Sequence, residues 1–96
     1  MRMFIIVCEA GVDERVIEHL ERLGAPGFTR FTGAIGHGRH GRREGTAVWP
    51  GLNSVLITCL PAELHELLLA AVDALRVERN GRLAIRVFSV PAEDHG

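Results

Sequence analysis

At 96 residues the chain is sized for one domain, because a second core would leave each half too small to fold unaided. An apolar fraction of 47% with 24% charged residues excludes a disordered chain, and a net charge of −1 gives no general attraction to nucleic acid or acidic membranes. Two cysteines, Cys8 and Cys59, are too few for a disulfide scaffold.

Met3 to Cys8 is a short apolar run rich in β-branched residues and predicts a buried strand. It is too short for the core of a secretory signal and Glu9 interrupts it, so the expected location is cytoplasmic; no segment approaches a membrane span, and membrane insertion is not expected. Asp13 is placed to cap a helix running to Leu23, with Val16, Ile17, Leu20 and Leu23 on one face and Gly24 as its stop. After the turn Ala25-Pro26-Gly27, the moderate alternation from Phe28 to Ile35 suits an edge strand. Gly36 to Gly45 is too glycine-rich and polar to pack and predicts a mobile loop, which Trp49-Pro50-Gly51 closes.

Asn53 to Leu60 is a second apolar strand, and Pro61 is suited to the first position of a helix. That helix carries Leu64, Leu67, Leu68, Ala71, Val72 and Leu75 on a broad apolar face, with Glu63, Glu66 and Asp73 outward. Asn80-Gly81 makes a turn before a last strand from Leu83 to Val90. The order strand, helix, strand, strand, helix, strand is that of an α+β, ferredoxin-like βαββαβ sandwich: a four-stranded antiparallel or mixed sheet with two helices on one face.

Two helices cover one face only, so the strands of a lone domain should alternate apolar and polar. The first and third strands do not. Met3, Ile5 and Val7 are as apolar as Phe4, Ile6 and Cys8, and Val55, Ile57 and Cys59 stand against Leu56, Thr58 and Leu60. Each large side chain left in water forgoes roughly 1.5–3 kcal/mol of burial, and the patch exceeds what monomers usually expose. The second face is therefore expected to be covered by another copy of the chain.

From Gly36 to Ser54 the chain resembles the PII-like superfamily. Gly36-His37-Gly38-Arg39 is similar to the Gly-x-Gly-Arg at the base of the long T-loop of orthodox PII signalling proteins, and Trp49-Pro50-Gly51-Leu52-Asn53-Ser54 resembles the Trp-Pro-Gly-Glu-Asn-Ser segment of a shorter branch. The resemblance implies a single PII-like domain over 1–96, a T-loop at about 36–52, a homotrimer, and a regulator rather than an enzyme. A small-molecule effector, an adenine nucleotide in orthodox members, binds between subunits near the loop base, and the loop engages a transporter or enzyme target. Gly36 and Gly38 would then bring backbone N–H groups to a phosphate, with Arg39 offsetting its charge. The chain departs from the orthodox pattern in three places. It has no tyrosine, His40 replaces the glutamine used for magnesium and 2-oxoglutarate, and Asn80-Gly81-Arg82 stands where Gly-Asp-Gly-Lys is usual, leaving Arg82 as the effector-binding candidate there.

The loop offers further chemistry. Five arginines and two histidines lie between Arg22 and Arg43 with no carboxylate until Glu44, a local anion-attracting field. Arg39, Arg42 and Arg43 suit bidentate contact with a phosphate or acidic partner, or simply solvate the loop. Binding of nucleic acid is not expected, because no aromatic residues interleave with the basic run. Trp49 suits a partner contact, or a plug in the intersubunit seam. His37 and His40, three residues apart, suit a divalent transition metal such as zinc or copper, and they carry the alternative reading, a metal-tolerance protein of the CutA-like kind. A purely structural subunit is the third class. Cys8 and Cys59 are read as ends of adjacent, parallel strands, with buried apolar thiols favoured over a redox pair or soft-metal site. His19 and His65 read as surface residues on helices.

Overall fold

The computed structural model describes residues 1–36 and 52–96. The elements follow the expected order: β1 (Arg2–Glu9), α1 (Val12–Leu23), β2 (Thr29–Ala34), β3 (Asn53–Leu60), a 3-10 turn (Ala62–Leu64) leading into α2 (His65–Glu78), and β4 (Ile85–Pro91). The strands form one antiparallel sheet in the order β2-β3-β1-β4. This is the ferredoxin-like α+β sandwich. Among the described residues no helix is long and apolar enough to cross a membrane.

Even-numbered residues of β1 and β3 turn toward the helices. Phe4, Ile6, Cys8, Leu56 and Leu60 are buried there with Ile85 of β4, against Val16, Ile17 and Leu20 of α1 and Leu68, Val72 and Leu75 of α2. The period-2 strands and the period-3.6 helices thus meet in one core. Arg15 ties the helices on the outside, its two terminal nitrogens donating to Glu78 at 2.8 and 3.1 Å.

Several local expectations are corrected. Helix α1 begins one residue before Asp13, with Gly11 at φ 100° as its N-terminal boundary. Asp13 lies inside the first turn, is buried, and accepts hydrogen bonds from the Gly11 N–H and from Arg30 of β2. Pro61 precedes the 3-10 turn rather than starting the helix. Leu67, expected in the core, is 50% exposed. His65 is not an ordinary surface residue: its Nε2 hydrogen-bonds the Leu60 carbonyl at 2.8 Å, and its ring meets Phe4 edge-on, centroids 5.4 Å apart.

The largest correction concerns the thiols. Because β1 crosses over through α1 to reach β2, these two strands run parallel; β3 returns antiparallel to β2 and inserts between them, so it also runs antiparallel to β1. Cys8 therefore lies opposite Ser54, and Cys59 lies opposite Met3 at the other end. Cys8 is buried and Cys59 exposed, on opposite faces of the sheet, so no redox pair or shared metal site joins them. Burial, with the Asp13 and Glu9 carboxylates adding to it, pushes the Cys8 thiol up to about 12 from its ordinary 9.0, so the folded thiol stays protonated where the unfolded one ionises. Its contribution is constant below pH 9.0 and is lost as pH rises from there toward 12.

Candidate functional site

The alternation that buries one set of strand residues sends the other set to the open face. Three cross-strand rows result: Phe31–Val55–Val7–Arg86, then Thr29–Ile57–Ile5–Phe88, then Cys59–Met3–Val90. Helices leave this face bare. Phe31, Phe88 and Val90 are 54%, 49% and 43% exposed. An apolar surface spanning all four strands is what the sequence predicted from the double parity of β1 and β3, and it has the composition of a contact surface.

The same alternation places one residue there that sequence reading passed over. Arg86 stands on the open face, its guanidinium carbon 5.4 Å from the centroid of the Phe88 ring. Inside an apolar strand it drew no notice; only the register reveals its side.

One end of the sheet gathers the loop base. Here β1 and β2 finish and β3 and β4 begin, with Glu9 opposite Asn53, Ala34 also paired with Asn53, and the Glu9 N–H bonded to the Ala84 carbonyl at 3.1 Å. The Ala10 N–H bonds the Leu52 carbonyl at 3.3 Å, pinning the return of the loop to the end of β1. Gly36 packs its Cα against buried Asn53, where an added Cβ would lie 2.5 Å from the Asn53 Nδ2. Gly36→Ala is therefore expected to cost about 1–3 kcal/mol by urea unfolding, with Asn53→Ala in the same chain recovering part of the loss. No change in midpoint would refute the close approach.

Arg82 reaches the same end from the other side. Helix α2 finishes with the Gly81 N–H bonded to the Arg76 carbonyl at 2.9 Å, and Asn80 and Gly81 both take positive φ, 55° and 75°. This turn presents Arg82, exposed, just before β4. Gly36 follows one edge strand, β2, and Arg82 precedes the other, β4, with β3 and β1 lying between those strands.

Gly38, Arg39, His37, His40, Arg42, Arg43 and Trp49 lie outside the described residues. Among the described residues no group of three or more His, Cys, Asp or Glu side chains is clustered as a metal site.

A family model described as Nitrogen regulatory protein P-II matches residues 1–95. No curated protein sequence matches. Among solved structures, the chain is similar to CPII, a nitrogen regulatory PII-like protein from Thiomonas intermedia K12 bound to ADP, AMP and bicarbonate, at 23% identity and TM-score 0.67, covering 93% of this chain and 84% of that one. It is also similar to a candidate PII-like signalling protein from Thermus thermophilus, at 26% identity and TM-score 0.59, covering 93% and 83%. A DUF3240 family protein from Shewanella baltica OS155 aligns at 18% identity and TM-score 0.71 over 99% and 92%.

Proposed function

We propose a function from one premise: the chain belongs to the nitrogen regulatory protein P-II family. The protein is a homotrimeric, cytoplasmic regulator that binds an adenine nucleotide in a cleft between subunits and signals through the loop at about 36–52. The observation that carries this reading is the placement of Gly36 and Arg82 at one end but on opposite edges of the sheet. A cyclic assembly covers the open faces by laying the β4 edge of one copy across the open face of the next, which brings the two half-sites toward each other.

In that cleft the backbone N–H groups at Gly36 and Gly38 and the side chains of Arg39 and Arg82 meet the phosphates. A nucleotide that binds one arrangement of the loop better than another shifts the loop population, and Arg42, Arg43 and Trp49 carry the change to a transporter or enzyme target. CPII, the similar protein from Thiomonas intermedia K12, is described bound to ADP and AMP, which supports adenine nucleotides as the effector class.

Calorimetric titration tests the reading, with ADP, AMP and ATP in separate runs and zinc, copper, nickel and cobalt salts as the competing arm. The expected result is saturable nucleotide binding, weakened about tenfold or more by Arg39→Ala and by Arg82→Ala, since each removes a charge-assisted hydrogen bond. Metal binding abolished by His37→Ala with His40→Ala, together with no heat from any nucleotide, would overturn it.

A further inference from the structure

We propose that Glu9 of one subunit and Arg86 of its neighbour form an ion pair across the subunit contact, and that this pair sets the register of assembly. The inference rests on the proposal that copies of the chain cover the open sheet face; it adds which charges meet there.

Glu9 and Arg86 are the two charged positions in the strand pattern of an open face whose other residues are apolar apart from Thr29 and Asn53. Glu9 continues the parity of Met3, Ile5 and Val7 on β1, and Arg86 lies directly across from Val7 on β4. Both stand at the loop-base end. Four of the other described arginines are engaged within the chain, and the remaining three, Arg22, Arg79 and Arg82, lie outside the strands. Arg15 holds Glu78, Arg30 holds Glu14 and Asp13, and Arg76 holds Asp73. Arg2, on the helix side, donates to the Ser89 hydroxyl at 3.0 Å. Among the described residues Glu9 and Arg86 enter no ion pair, although they occupy diagonal positions on neighbouring strands. Arg86 instead lies near the Phe88 ring.

Covering the face removes water from both groups, and an unpaired charge there opposes assembly strongly. Symmetry supplies the partner. In a cyclic assembly every copy sits at the same height, so the loop-base ends are level with one another. The contact is heterologous, joining different patches of two copies, so a carboxylate on central strand β1 is available to a guanidinium on edge strand β4 of the next. A slip of one residue turns the charges into the apolar rows, so the pair selects one register.

Sedimentation at micromolar concentration tests this with Glu9→Arg, Arg86→Glu, the doubly exchanged chain and an equimolar mixture of the two single variants. Each single reversal is expected to weaken association at least about thirtyfold. The double exchange should restore it to within about fivefold, and the mixture should associate better than either single variant alone but short of the parent, since a ring of three then holds two contacts between unlike chains, which join opposite charges, and one between like chains. Neutral Glu9→Gln and Arg86→Gln, with circular dichroism to verify folding, should lose less than the reversals. Three results would overturn the pair alone: single reversals that assemble like the parent, a double exchange that fails to recover, or a recovered double exchange with a mixture that associates no better than the separate singles, which places the pair within one chain. A monomeric parent protein would overturn the assembly itself, and the pair with it.

Discussion

Ile5→Glu is expected to give a folded protein that no longer associates at micromolar concentration. Ile5 stands in the middle row of the open face, between Ile57 and Phe88 on its two neighbouring strands. The substitution removes roughly 1.5–3 kcal/mol of apolar burial in the contact. It also adds a carboxylate whose transfer from water costs several kcal/mol when nothing pairs with it. Together these raise the dissociation constant by about a thousandfold or more. The fold itself should survive, because Ile5 points away from the cluster formed by Phe4, Ile6 and the helices. Sedimentation velocity alongside far-ultraviolet circular dichroism checks both halves of the statement. Undiminished association would show that this row is not in a contact.

Leu20→Ala should do the opposite, damaging the fold wherever association stands. Leu20 is fully buried in α1, within the single core of the domain. Truncating a leucine in such a position costs about 2–5 kcal/mol through lost transfer energy and the cavity left behind. A domain of this size has only about 5–15 kcal/mol in total. The variant should therefore unfold at markedly lower urea concentration, measured at fixed protein concentration because association is linked to folding. A midpoint within a few tenths of molar of the parent would mean that the helix packs less tightly than its burial implies.

The strands and helices were legible because their signals are local. Asn53–Leu60 matches the expected third strand at both ends, its apolar run bounded by a loop motif and a proline. The apolar character of the open sheet face was legible for the same reason: Met3, Ile5 and Val7 are apolar whether or not one knows which parity faces the helices. Direction was not legible. A hydrophobic run reads alike in both senses, so the relation of β1 to β3 was drawn parallel where topology makes it antiparallel, and the two thiols were brought together in error.

Long-range polar contacts were equally invisible. The sequence position of Asp13 predicts a cap, whereas in the fold its buried carboxylate also accepts from Arg30, which arrives on a strand seventeen residues later. His65 lies between Glu63 and Glu66 and reads as a surface residue, although the 3-10 turn folds it back onto the Leu60 carbonyl. Of the candidate site, the Gly-x-Gly-Arg resemblance pointed to Gly36, and the close contact with Asn53 gives a steric reason for glycine there. Arg82 was placed correctly beside the last strand. Arg86 is not legible, because the face it occupies follows from the register and not from the residues flanking it.

The mass of the parent protein in solution is the most direct test of the account. Light scattering on the size-exclusion peak at micromolar concentration should return three times the 10.5 kDa chain mass. A stable species of 10.5 kDa would leave Gly36 and Arg82 stranded on opposite edges of one sheet and would contradict the shared cleft.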